Sequence, residues 1–166
     1  MFAKPQAEHQ WLERLTGEWR FVHECQTGPD QPPQRSEGQM SGRMLGGLWL
    51  LLEGSGQTPE GDAWMSQFTL GFDTAGKRFV GTFVASMISH LWIYQGNLTD
   101  DGRELVLEVE GPRMDGPGTA LYRDTFESVD ADHWVLKSEI SGTDGQWISF
   151  MTGHHHRVTS SDPSDR

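Results

Sequence analysis

The sequence has few of the residues that build disulfide frameworks, membrane spans or nucleic-acid surfaces. Its 166 residues include a single cysteine, Cys25, which excludes an internal disulfide and suits a reducing cytoplasm. Lys and Arg number 13 against 24 Asp and Glu, and a net charge of −11 disfavours nucleic acid as a partner. No run of about 18 apolar residues is present, so we expect no membrane partner and a cytoplasmic location.

Tyrosine is also scarce, but other large aromatic residues are abundant. There are two Tyr, seven Trp and eight Phe, while apolar residues make up only 35% of the chain. Each Trp or Phe buries a large area. We therefore expect a single domain whose core depends on a small number of big side chains.

One segment has the pattern of a helix. From Gln6 to Thr16 the apolar residues Ala7, Trp11, Leu12 and Leu15 recur at the spacing of one helical face. A proline precedes the segment and a glycine follows it, as is typical of helix ends. The pattern predicts a short amphipathic helix over about residues 6–16.

After this helix, turn residues recur at short intervals and separate runs of Val, Ile, Phe, Trp and Thr. Such spacing is typical of an all-β sandwich or barrel made of hairpins. No helix-length segment separates the runs, so we expect antiparallel pairing. We predict a single antiparallel β-barrel domain over residues 1–166, with a disordered tail over about 159–166. The ten predicted strands are Glu18–Gln26, Ser36–Leu45, Leu48–Gly54, Ala63–Phe72, Arg78–Ser86, His90–Leu98, Glu104–Glu110, Thr119–Ser128, His133–Ile140 and Gln146–Val158.

The run Leu48–Leu52 is apolar at every position and therefore on both faces of its strand. A strand of this kind must be covered by other parts of the protein on both faces. The barrel interior supplies one cover, and either the N-terminal helix or a second chain supplies the other. We favour a homodimer through Leu48–Leu52, because exposed apolar patches on monomers are usually small.

Several short blocks follow one another in a defined order and spacing: Leu15–Trp19, Arg43–Trp49, Leu70–Asp73, Phe79–Phe83, Glu110–Pro112 and Asp144–Trp147. Together they resemble a bacterial family catalogued as domain of unknown function 1579. The resemblance implies a lipocalin-like β-barrel with a short leading helix, and it implies no established activity. Members often carry an aromatic and basic run where this chain has His154–Arg157.

Three consecutive histidines, residues 154–156, occupy the last predicted strand. Side chains alternate along a strand, so His154 and His156 share a face that His155 does not. Imidazole is a ligand for Zn, Cu, Fe and Ni. His154 and His156 are therefore candidate ligands of a metal or of haem, although no cofactor is predicted from the pattern alone.

Polar residues within apolar strands are candidates for ligand binding, because a few such groups orient a ligand among apolar walls. On one strand His90, Trp92 and Tyr94 share a face. An inward arginine would suit an anionic group on a ligand. The other candidates on this basis are Arg43, Glu53 and Arg123.

The leading hypothesis is that the barrel binds a small apolar or aromatic molecule in its interior, since barrels of about this size hold one ligand. One alternative is an enzyme of unfamiliar type that uses His90 or Glu53 as acid or base and Arg43 to hold an anion. A haem- or metal-binding barrel is a further alternative. Because the common catalytic motifs are missing, we favour binding over catalysis.

Overall fold

A computed structural model describes residues 1–159 and places nearly all of them in one β-barrel with a short helical segment before it. The helix α1 spans Ala7–Leu12 and continues as a 3₁₀ turn over Glu13–Leu15. The predicted tail lies, apart from Thr159, outside the described residues. The strands are β1 Gly17–Cys25, β2 Gln34–Leu45, β3 Trp49–Gln57, β4 Ala63–Asp73, β5 Arg78–Ala85, β6 Ile88–Leu98, β7 Glu104–Pro112, β8 Thr119–Asp130, β9 His133–Ser141 and β10 Trp147–Arg157.

The ten strands form a closed antiparallel barrel. Each strand pairs with the next along the chain, and β1 pairs with β10 to complete the circle. The predicted fold class, strand number and leading helix are therefore confirmed. None of the helices in residues 1–159 has the length and apolar character that crossing a membrane requires.

The helical segment covers one end of the barrel. Leu12 and Leu15 are fully buried in the core, and the Trp11 indole N–H donates to the Gly102 carbonyl in the β6–β7 connection at 2.7 Å. Arg157, at the end of β10, donates to the Thr16 carbonyl at 3.0 Å. These bonds attach the segment both to the β6–β7 connection and to β10, which β8 and β9 separate around the barrel, so the segment lies across this end.

The two faces of the apolar strand β3 have different environments. Leu50 and Leu52 point inward and are completely buried. On the outer face, Trp49 lies against Gly71 of β4, where a Cβ atom would fall 2.4 Å from the indole ring, and remains 39% exposed. The helix closes the barrel end and does not bury Trp49. A homodimer through this face stays a prediction.

The tryptophans are divided among three environments. Those on the inner face meet other aromatic rings: Trp19 packs edge-to-face on Trp134 at 6.1 Å, and Trp134 stacks with Phe126 at 5.7 Å. Side chains therefore fill the helix-covered half of the barrel. Trp19, Trp92 and Trp134 are buried inside, Trp64 is half-buried inside, Trp49 and Trp147 lie outside, and Trp11 belongs to the helix.

The shortest ladder of the barrel joins β6 to β7. Four residue pairs make it, Gln95–Leu98 with Leu105–Glu108, whereas each of the other ladders is longer. Gly96 lies within it so close to the neighbouring strand that a Cβ atom would fall 1.8 Å from the Val106 carbonyl oxygen. Only a residue without a side chain permits this approach.

We expect Gly96→Ala to destabilise the protein by about 1–3 kcal/mol, because the added methyl group forces two backbones apart. Chemical denaturation measures the change. The control is Gly116→Ala, where a Cβ atom would meet nothing within 4 Å and we expect a change of about 1 kcal/mol or less. Equal free energies of unfolding for the two variants would contradict the close approach of β6 and β7.

Candidate functional site

The inner face of the barrel is accessible at the end opposite the helix. Inward side chains near the helix are buried, but several at the other end keep part of their surface accessible. We call these the mouth residues: Trp64, Phe83, His90, Phe150 and Met151. The connections at residues 26–33, 58–62, 86–87, 113–118 and 142–146 surround them.

Strand alternation and one bulge position the mouth residues. Trp64 and Phe83 occupy the inward positions at the mouth ends of β4 and β5, and Phe83 packs on Phe68 at 4.4 Å. On β10 the register shifts between Ser149 and Met151. A bulge places two residues opposite one partner and redirects side chains. Phe150 and Met151 both pack against the core as a result.

A buried carboxyl lies below the mouth. The Tyr94 hydroxyl donates to the Asp124 carboxylate at 2.5 Å, and the Ser138 hydroxyl also bonds it. Burial raises the pKa of Asp124, and the two hydrogen bonds oppose that change. Burial, followed by the charge of Asp124 and its hydrogen bond, raises the pKa of Tyr94. The Asp124 residue is half-buried as a whole, while its carboxyl is engaged by the hydrogen bonds from Tyr94 and Ser138.

Two inward histidines continue an aromatic series from the mouth towards the helix. His23 stacks on Phe21 at 4.1 Å and on Trp64 at 6.4 Å, and His155 stacks on Trp134 at 3.6 Å. Burial lowers the pKa of His23 to about 4 and that of His155 to about 2, so both imidazoles are neutral at neutral pH.

Three buried nitrogen atoms in this series have no hydrogen-bond partner within residues 1–159. They are Nε2 of His23, Nε2 of His155 and Nε1 of Trp134. The other ring nitrogen of His155, Nδ1, lies 3.3 Å from the Gly153 carbonyl. Leaving a buried polar atom unpaired costs about 1–3 kcal/mol. Two of these atoms, on His155 and Trp134, lie in the filled half of the barrel, and Nε2 of His23 lies beside the mouth residue Trp64.

Three of the six predicted ligand-binding residues come together here. His90, Trp92 and Tyr94 share the inner face of β6, as their spacing predicts. Trp92 packs edge-to-face on Tyr122 at 5.1 Å. It also fills the space beside Gly111, where a Cβ atom would lie 2.1 Å from the indole ring. Trp92 thus seals the wall where β6 and β7 are no longer paired.

The other three predicted residues lie outside the barrel. Arg43 and Glu53 are exposed on the outer face. Arg123 forms a two-armed ion pair with Glu139 at 3.1 Å and lies over the Trp147 ring at 4.2 Å. Since Arg43 and Glu53 are separated from His90 by the barrel wall, the three do not assemble into an acid–base and anion-holding group. A binding role for these outer residues would be a role at the outer surface.

The predicted haem or metal ligands also lie outside. His154 and His156 are exposed, whereas His155 between them is completely buried. Alternation on β10 produces this division. An axial ligand to haem inside the barrel therefore cannot come from His154 or His156.

Sequence reasoning missed several residues of the interior site. Asp124, Ser138, His23 and His155 were not among its candidates for ligand binding. The signal was present for Asp124, because Ala120, Tyr122, Asp124 and Phe126 alternate on one face of β8. Because the neighbours on this face are apolar, the pattern indicates that the Asp124 side chain points into the barrel. The contact between Asp124 and Tyr94, which lies 30 residues earlier, cannot be predicted from any local sequence pattern.

Two shallow depressions lie elsewhere on the molecule. One is beside the helix and is lined by residues such as Glu8, Phe72 and Lys77. The other runs along the outside of β5, β6 and β7 past Arg78 and Glu108. Neither includes the mouth residues, the buried carboxyl or the inward histidines.

Comparisons with known proteins extend the family resemblance and the fold. The model of a family described as "protein of unknown function (DUF1579)" matches residues 4–157. No curated protein matches the sequence. Rv2717c from M. tuberculosis has a TM-score of 0.64 and 14% identity, and the match covers 94% of this chain and 100% of that one.

Two further solved structures have similar folds. The S-type phycobiliprotein lyase CPES from Guillardia theta also has a TM-score of 0.64 and 14% identity, with 95% of this chain and 100% of that chain covered. A redesigned β-barrel has a TM-score of 0.50 and 13% identity over 94% of this chain and 100% of its own. At these identities the likeness concerns the fold alone.

The buried histidines predict a specific pH dependence of stability. Below pH 6.5 the unfolded chain binds a proton at position 23, whereas the folded protein does so only near pH 4. The free energy of unfolding therefore falls as the pH is lowered through this window. Between pH 6.5 and 5 we expect His23→Phe to reduce that fall by about 1–2 kcal/mol.

Urea denaturation at a series of pH values measures this effect. Above about pH 7.5 His23 is neutral in both states, so the curves of the two proteins should run parallel there and diverge only at lower pH. Parallel curves down to pH 5 would show that His23 is not held neutral by burial.

Proposed function

Because the chain belongs to the DUF1579 family, whose name records no activity, we propose from its geometry that the barrel binds one small apolar or aromatic molecule at its mouth. The observation that carries the proposal is the contrast between the two ends of the inner face. Side chains fill the helix-covered half, and the mouth residues remain accessible above the Asp124 carboxyl. The contrast supports a binding site at the uncovered end.

The walls of the mouth suit an apolar guest. Trp64, Phe83 and Phe150 present aromatic surface, and Met151 adds a flexible thioether that adapts to irregular shapes. Covering such surface contributes about 25 cal/mol for each Å² removed from water. A few polar groups among apolar walls, here His90 and Asp124, would orient the guest.

The charge of the interior favours a neutral or cationic guest over an anionic one. At the mouth end, the inward positions of the ten strands hold no lysine or arginine. Arg123, which would have suited an anion, is paired with Glu139 on the outer face. The net charge of −11 also repels anions in solution. The Asp124 carboxylate would accept a hydrogen bond from an N–H or O–H group of the guest.

Three fluorescent probes of one shape test this proposal. They are an uncharged naphthalene dye, its ammonium derivative and its sulfonate derivative. We expect saturable binding of the first two, with binding of the sulfonate weaker by about tenfold or more, since no cation inside balances its charge. Dye fluorescence and quenching of tryptophan emission measure the affinities.

Adjacent positions on β5 supply a matched pair of variants. Ala85 points inward at the mouth and Val84 points outward. We expect Ala85→Trp to fill the mouth and lower the affinity by about tenfold or more, while Val84→Trp changes it by less than about twofold. If both variants bind like the original protein, or if no probe binds, the proposed function is wrong.

The carboxyl below the mouth has its own test. We expect Asp124→Asn to lower the affinity for the ammonium probe by about tenfold relative to the affinity for the uncharged probe, because a charge-assisted hydrogen bond is worth about 1.5–3 kcal/mol. The uncharged probe serves as the internal control for packing. An equal change for both probes would indicate that Asp124 does not contact the guest.

A further inference from the structure

Three histidines converge on the outer face of the barrel, away from the mouth. The antiparallel register of β9 and β10 sets His133 directly opposite His156. His154 lies two residues before His156 and therefore on the same face. One ring nitrogen from each residue lies within 4.8 Å of the other two. Sequence spacing indicates the pair on β10, and only the register supplies the third histidine.

The rings of this cluster are in close contact. His133 Nε2 lies 2.9 Å from His154 Nδ1. The ring centroids of His133 and His156 are 4.4 Å apart, and those of His133 and His154 are 5.2 Å apart. A tetrahedral zinc ion with Zn–N bonds of about 2.0–2.1 Å needs nitrogens about 3.3 Å apart. The 2.9 Å separation of His133 Nε2 and His154 Nδ1 is slightly below that value, and the 4.8 Å limit for all three nitrogens brackets it from above.

We propose that His133, His154 and His156 bind one divalent transition-metal ion, of the class of Zn²⁺, Ni²⁺ or Cu²⁺, on the outer face of β9 and β10. Imidazole suits these ions, whereas Mg²⁺ and Ca²⁺ require oxygen ligands. The carboxylate of Asp130 acts electrostatically on His133 and favours a cation at this place, whereas the nearby Glu127 carboxylate is paired with Lys137 at 2.8 Å. His154 and His156 are exposed, so solvent reaches the remaining coordination positions.

The site is separate from the proposed small-molecule site. His155, between two of the ligands, points into the barrel and is completely buried. The barrel wall therefore divides the metal ligands from the inward histidines, and neither site needs the other. A bound ion would join β9 to β10 next to the ladder that closes the barrel, and it would stabilise the folded protein by mass action.

Titration calorimetry with tag-free protein, first treated with a chelator, tests the inference. We expect saturable binding of one Zn²⁺ or Ni²⁺ per chain and no comparable binding of Mg²⁺. His133→Asn and His154→Asn should each lower the affinity by about tenfold or more. Thr152→Ala, on the same strand and two residues before His154, is the control and should bind as the original protein does.

A second readout reports the ligand atoms directly. With Cu²⁺ we expect nitrogen couplings in the electron paramagnetic resonance spectrum that decrease in the His133→Asn variant. Tryptophan emission shows that each variant is folded. Absence of saturable binding, or affinities and spectra that do not change in either histidine variant, would overturn the proposal whatever the outcome of the dye experiments.

Discussion

The ladder between β1 and β10 is the interaction on which the rest of the structure depends. It pairs Trp19–Cys25 with Met151–Arg157 and joins the first strand to the last. Closure removes the two unpaired edges that an open sheet would expose. It also divides every strand into an inner and an outer face. On β10 this division sends His155 into the core and its two histidine neighbours to the surface.

The barrel is closed around its circumference but asymmetric along its axis. At one end the helical segment buries Leu12 and Leu15, and large rings such as Trp19 and Trp134 fill the interior. At the other end no such segment among residues 1–159 covers the strands, and the mouth residues stay partly accessible. Packing of the first end supplies much of the apolar burial that holds the fold. The side chains at the second end are therefore less constrained by the stability of the fold.

Polar groups inside the barrel are concentrated towards that second end. Asp124 shares hydrogen bonds with Tyr94 and Ser138, and burial raises its pKa. His23 remains neutral because charging it would require hydration that the interior does not supply. Such groups cost stability unless partners satisfy them. Here Tyr94 and Ser138 partner Asp124, whereas Nε2 of His23 has no partner within residues 1–159.

Local patterns in the amino-acid sequence predict the helix, the number and approximate bounds of the strands, and which side chains of a strand share a face. Periodicity is local, so the shared inner face of His90, Trp92 and Tyr94 and the division of residues 154–156 follow from spacing alone. The family blocks indicated the same barrel. Even the inward position of Asp124 could have been inferred from its apolar neighbours on β8.

Contacts between residues of different strands became known from the fold and not from the sequence pattern. His133 faces His156, and Tyr94 reaches Asp124, because of a register that depends on connection lengths and on the stagger of the closed barrel. The same is true of whether a side chain points into the barrel or out of it. Alternation shows which residues share a face, but packing in the folded barrel determines that Arg43, Glu53 and Arg123 lie outside. Alternation of side chains is a property of one strand. A site is built from several strands, and their register relative to one another cannot be predicted from the pattern within any one of them.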